Sequence, residues 1–119
     1  MTRINVGIKP SELTGKHLLA EHREIKRVPN VIKSGRYHMK GQPAKFTLGT
    51  GHVKFFYDKL GYLKKRYNAI HEECLKRGYN VTNFSEAFKN IPSNMMNDYT
   101  ETSYDRKIIQ ERIAERLGK

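Results

Sequence analysis

The most reactive group this sequence offers is a main-chain amine. If Met1 is removed, which its small neighbour Thr2 permits, the chain begins at a terminus whose reference pKa is near 7.7–8.0, against about 10.4 for lysine. At pH 7.5 roughly a third of such amines are neutral, compared with about a thousandth of exposed lysines, so Thr2 is favoured as an imine-forming nucleophile by more than roughly a hundredfold. A carboxylate beside it, such as Glu24, would stabilise positive charge on a sugar or an imine and move protons. At about 100° per residue, Leu13, Glu24, His17, Val28, Glu21, Ile25 and Leu18 fall in one continuous arc, so two carboxylates sit inside an apolar face. An ionised carboxylate taken from water costs several kcal/mol unless it is paired or hydrogen-bonded. Glu21 and Glu24 therefore need a partner, and pairing with Arg23, Arg27 or a lysine competes with a catalytic duty. His17, one turn before Glu21, belongs either to a pocket with it or to its hydrogen bonding. Lys16, Arg23 and Arg27 make an adjacent stripe suited to phosphates.

These residues need a helix to hold them, and the sequence supplies one from about Ser11 to Val31. Lys9-Pro10-Ser11 stops the weak alternation of Met1 to Ile8 and offers a start. Pro29 predicts a kink or break, and Lys33-Ser34-Gly35 an end. From Gly35 to Gly51 the chain reads as an exposed loop with a short extended piece at Phe46-Thr47-Leu48. There Arg36, Lys40 and Lys45 alternate with Tyr37, His38, Met39 and Phe46, a composition suited equally to stacking on nucleic acid and to a solvated basic loop. The core helix follows, with Val53, Phe56, Tyr57, Leu60, Leu63, Tyr67, Ile70, Cys74 and Leu75 on one face and an end at Gly78. Gly61 within it suggests close packing against another helix. Residues 79–103 are turn-rich, with one short helical turn at Ser85 to Asn90. A last helix from about Ser103 to Leu117 turns Ile108, Ile109, Ile113 and Leu117 inward. The expectation is an all-α single domain over residues 1–119, with three main helices and long loops.

The 119 residues carry 23 Lys and Arg against 12 Asp and Glu, a formal charge of +11 that concentrates polyanions and makes nucleic acid the first partner to consider. No apolar run of about 18 residues and no basic-then-apolar leader occurs, which favours a soluble cytoplasmic protein over a membrane-surface one. The single Cys74 excludes an internal disulfide. His71 and Cys74 share an apolar face, but two ligands do not make a zinc site and a core pair is the better reading. Gly49-x-Gly51 lacks the third glycine of a dinucleotide fingerprint.

Several segments agree at once with a known family. Thr2-Arg3-Ile4-Asn5, Ser11-Glu12-Leu13, His17-Leu18, Ala20-Glu21, Arg23-Glu24, Arg27-Val28, the long run Leu48-Gly49-Thr50-Gly51-His52-Val53-Lys54-Phe55-Phe56-Tyr57-Asp58-Lys59-Leu60, and Glu73-Cys74-Leu75-Lys76-Arg77-Gly78 resemble the phage-type endonuclease V family of pyrimidine-dimer DNA glycosylase/AP lyases. The resemblance implies a mainly helical domain with its N-terminal segment packed between helices and its amine facing DNA. It implies that the Thr2 amine attacks C1′ of the damaged nucleotide, and that Glu24 serves the glycosylase step and the later β-elimination. Arg3, Arg23 and Arg27 would hold phosphates of lesion-bearing double-stranded DNA, and Arg112 matches a basic residue of the family's last helix. No cofactor or metal is implied, because the amine captures the electrophile. The protein would act as a monomer in the cytoplasm, that of the host cell if a phage encodes it.

The sequence also departs from the pattern. One additional residue lies between Asn5 and Ser11, Ile108 stands at a position that is basic in the family, and the chain closes on Leu117-Gly118-Lys119 rather than on a tail rich in Trp and Tyr. That tail is associated with dimer recognition. Two alternatives therefore accompany excision of pyrimidine dimers: the same chemistry on another damaged or modified base, and a non-enzymatic DNA-binding protein.

Overall fold

The computed structural model describes residues 4–48 and 51–116, the side chain of Arg116 aside. Among the described residues the chain is all-α, with helices α1 (Gly15–Glu24), α2 (Arg27–Ser34), α3 (His52–Phe55), α4 (Leu60–Lys76) and α5 (Ser103–Arg116), three short 3-10 turns and one isolated antiparallel bridge between Lys59 and Met96.

The helix expected over Ser11 to Val31 is three pieces. Pro10 opens a 3-10 turn, Pro10–Glu12, and Leu13 then goes extended and buries its side chain. Thr14 caps α1, its Oγ1 accepting the His17 N–H at 3.3 Å. The break expected at Pro29 falls one turn earlier, at Ile25-Lys26. Pro29 has no N–H to give the Ile25 carbonyl and its ring crowds that group, so Pro29 itself settles in the first turn of α2, where an N–H is dispensable. Gly35, at φ +74°, ends α2 as the sequence suggests.

The core helix is likewise divided. α3 stops at Phe55, Lys59 leaves the helical region to bridge Met96, and α4 starts at Leu60. Gly61, in the first turn of α4, lets the loop approach: a Cβ at this position would lie 2.6 Å from the Met96 carbonyl oxygen and 3.0 Å from that of Asn97. The close approach is therefore to loop backbone, not to another helix. α4 packs on α1 and buries Leu60, Tyr62, Leu63, Arg66, Tyr67, Ile70 and Cys74. Leu75, expected inside, is 56% exposed: it sits about 100° around the helix from the fully buried Cys74, off the packed face. The helix closes on Gly78 as predicted, with the Tyr79 N–H reaching the Cys74 carbonyl at 2.9 Å.

Ser85–Phe88 forms the expected short turn. α5 begins where the sequence places it, through a reciprocal cap. The Asp105 N–H donates to Thr102 Oγ1 and the Thr102 N–H to Asp105 Oδ2, both at 3.1 Å. Ile109 is its buried anchor, Ile108 and Ile113 pack half-buried, and Leu117 lies outside the described residues.

The 35–51 loop is less exposed than its composition suggests. Arg36, Lys40 and Lys45 face solvent, but Phe46 is 1% exposed and meets the rings of Phe55, Phe56 and His52 edge-on. Burying a phenylalanine is worth about 1.5–3 kcal/mol, and a ring enclosed in this way offers no face for stacking at the surface. The 46–48 piece forms no strand.

Candidate active site

The N-terminal arm is seated by the core. Ile4, Val6 and Ile8 are buried among the hydrophobic side chains of the helices. Four sets of polar contacts then hold the arm, three of them on its backbone and one on the Asn5 side chain. The Ile4 N–H donates to His52 Nε2 at 2.9 Å. Asn5 Nδ2 donates to Glu21 Oε1 at 2.7 Å. Gly7 donates its N–H to Glu101 Oε2 at 3.1 Å and accepts from Arg106 Nη1 at 2.8 Å. Arg66 Nη1 donates to the Ile8 carbonyl at 2.9 Å. Gly7 takes φ +81°, and a Cβ there would come within 3.2 Å of Arg106 Cβ, so this crossing requires glycine.

Glu21 is 1% exposed and its partner is Arg66 of α4, not a basic residue of its own helix. The guanidinium meets both carboxylate oxygens, Nη2 reaching Oε1 at 3.0 Å, while Asn5 occupies a further lone pair. Burial opposes the charge on Arg66, and the Glu21 carboxylate more than offsets it, keeping the guanidinium above its ordinary pKa. Arg66 was not foreseen as a site residue. Its signal lies in its position three residues after Leu63 and four before Ile70, inside the apolar stripe.

Glu24 ends α1 and is 15% exposed at its side chain, with Arg23 Nη2 at 3.5 Å from Oε2. Arg23 and Arg27 are exposed, as is Lys16, so the acid lies at the edge of a basic surface. His17 is half-buried, with Nδ1 at 3.1 Å from Thr14 Oγ1. Arg112 of α5 is half-buried in an open depression of about 540 Å³ that it shares with Leu48, Ile108, Glu111 and Glu115. Thr2 and Arg3 lie outside the described residues.

Two histidines that sequence reasoning passed over are built into this region. His52 Nδ1 is 2.8 Å from the Thr47 carbonyl oxygen, and its Nε2 receives the Ile4 N–H. His22 is 2% exposed, with Nε2 at 3.0 Å from His71 Nδ1 and 3.3 Å from the Tyr67 hydroxyl. Burial, then the neighbouring His71 and Lys26, lower the His22 pKa to about 4. The signal for His22 was its place four residues after Leu18 and three before Ile25. His71 is thus taken up by His22, Cys74 is a buried free thiol, and no group of three or more His, Cys, Asp or Glu is arranged to hold a metal ion among the described residues. No helix among them is long and apolar enough to cross a membrane.

Over residues 1–87 the chain matches the model of a protein family, pyrimidine dimer DNA glycosylase.

Proposed function

Because the chain belongs to the pyrimidine dimer DNA glycosylase family, and is thereby a DNA repair glycosylase, we propose that it removes a dimerised pyrimidine through the Thr2 amine and then nicks the strand. The observation that supports this reading is the bond from Asn5 to Glu21. Glu24 lies three residues beyond Glu21, about 4.5 Å along the α1 axis. Thr2 lies three residues before Asn5, a span of at most about 10 Å of extended chain. That length of chain allows a terminal amine at Thr2 to reach the Glu24 carboxylate, which lies beside the exposed Arg23 and Arg27.

The chemistry follows from those groups. With Met1 removed, the neutral amine attacks C1′ of the deoxyribose, the glycosidic C1′–N bond breaks and the base departs with a proton. The sugar ring opens to give an iminium between C1′ and the Thr2 nitrogen. Glu24 stabilises this cation electrostatically and assists removal of a C2′ proton. β-Elimination then expels the 3′ phosphate, and water releases the amine. Arg3, Arg23, Arg27 and Arg112 hold strand phosphates, with Arg112 working against the two glutamates beside it. His17 and Glu21 sit behind the reacting groups as pocket residues, Glu21 acting through its grip on the arm. The protein acts as a monomer formed by one domain, in the cytoplasm.

Borohydride trapping on duplex DNA containing an abasic site, followed by mass mapping of the attached peptide, tests the reading. An adduct on Thr2 is expected, with faster release from dimer-bearing duplexes than from duplexes carrying other damaged bases. Faster release from another lesion would keep the chemistry and move the substrate. Absence of an adduct from protein whose Met1 is confirmed removed would leave DNA binding without imine chemistry.

A further inference from the structure

We propose that His52 is a positioning residue for the N-terminal nucleophile, an inference that rests on the Thr2 reading above. The Ile4 N–H can only donate and the Thr47 carbonyl can only accept, yet both meet the His52 ring, at 2.9 and 2.8 Å. One arrangement satisfies both: a neutral imidazole with its proton on Nδ1 and a lone pair at Nε2 directed to Ile4. The ring has little freedom to abandon it. His52 is 4% exposed and is walled edge-on by Phe46 at 5.4 Å and Phe56 at 5.5 Å between centroids.

His52 also stands on the first turn of α3. Gly51 before it takes φ +90°, and a Cβ there would meet Pro43 Cγ at 2.9 Å. The imidazole therefore links three separate stretches of chain, the arm, the 35–51 loop and α3, at one point.

Ile4 is two residues from Thr2, so a fixed Ile4 nitrogen confines the Thr2 amine to a radius of about 7 Å. Asn5, Gly7 and Ile8 are held by other groups further along the arm. Among the described residues the Ile4 contact is the anchor nearest in sequence to the amine, so a shift there is passed to the amine most directly. A misplacement of about 1 Å at a reacting atom costs on the order of a hundredfold in rate.

The two ring nitrogens can be replaced separately. His52→Gln keeps a carbonyl where Nε2 stands and can still accept from Ile4. His52→Asn keeps a donor near Nδ1 for Thr47 and loses the acceptor. H52N is expected to slow single-turnover imine trapping on abasic-site duplex about 10- to 100-fold, with duplex affinity within about threefold of wild type, and H52Q to recover at least about tenfold of that loss. Equal trapping by H52N and wild type, or equal loss in H52N and H52Q, would overturn the positioning role. Failure of the wild type to trap at Thr2 would instead remove the reading beneath it. Nitrogen-15 spectra of wild-type protein give a measurement independent of the variants. The expected result is a His52 ring protonated at Nδ1 and hydrogen-bonded to the Ile4 amide, whereas a proton on Nε2 would refute the assignment.

Discussion

Glu21 and Arg66 stand 45 residues apart in sequence and share a buried, two-point ion pair that also carries Asn5 and the Ile8 carbonyl. The pair joins α1, α4 and the N-terminal arm. Removing one buried partner strands the other, at a cost of about 3–5 kcal/mol. Arg66→Met is therefore expected to lower stability by that amount in urea unfolding. E21Q combined with R66M should cost less than R66M alone, because no charge is then left uncompensated. A larger loss in the double variant would mean that the pair is secondary to the hydrogen bonds around it.

Glu24 differs from Glu21 in having one exposed arginine as its ion-pair partner rather than a buried network. Glu24→Gln is expected to leave the thermal midpoint within about 4 °C of wild type, since a pair whose arginine is exposed contributes at most about 1 kcal/mol. Base release should fall about 100-fold or more, the usual scale for loss of an acid–base group. Full cleavage of dimer-bearing duplex by E24Q would refute the assignment.

The low pKa of His22 makes folding sensitive to acid. Its folded value of about 4 lies below the ordinary 6.5, so between those limits the unfolded chain binds a proton that the folded chain refuses. The stabilisation is complete above pH 6.5 and is lost as pH falls towards about 4. Each unit corresponds to about 1.4 kcal/mol, and relaxation around His71, Tyr67 and Lys26 reduces the observable loss to about 1–2 kcal/mol. Urea midpoints measured from pH 7 to pH 4.5 should decline in wild type and decline less in His22→Gln.

Gly61 sets two effects against each other. Alanine is about 1 kcal/mol better than glycine inside a helix. Its Cβ, however, would press on the Met96 carbonyl oxygen at 2.6 Å, a backbone atom that cannot turn aside. The steric cost of about 1–3 kcal/mol should win, so Gly61→Ala is expected to lower the thermal midpoint rather than raise it.

Arg23 and Arg27 are exposed at the edge of the Glu24 region. If each neutralises one phosphate, replacing both with glutamine should flatten the logarithmic salt dependence of duplex binding by about 1.8. Titrations across ionic strength would show an unchanged slope if these side chains face away from DNA.

Local chemistry made much of this protein legible in its sequence. Helix period exposed the faces of α4 and α5, Gly35 and Gly78 marked two helix ends, and charge pointed to a polyanion. The family, too, was written in the segments from Thr2 to Gly78. What sequence could not show was which residues meet across the core. Pro29 announced a break but not that the ring would set it one turn earlier, because the clash acts on the Ile25 carbonyl. Phe46 stood in a segment that read as an exposed loop, and only the packed rings of Phe55 and Phe56 show it to be enclosed. Glu21 advertised its need for a cation, but the nearest arginines in sequence point to solvent and the answering one is Arg66. His52 carried no periodic signal, since its role is to receive a backbone N–H from a segment 48 residues away. Period and capping act within a turn or two of chain and can be read there. Ion pairing in the core and the seating of the arm depend on distances that exist only after α1, α4 and the N-terminal segment have closed on one another.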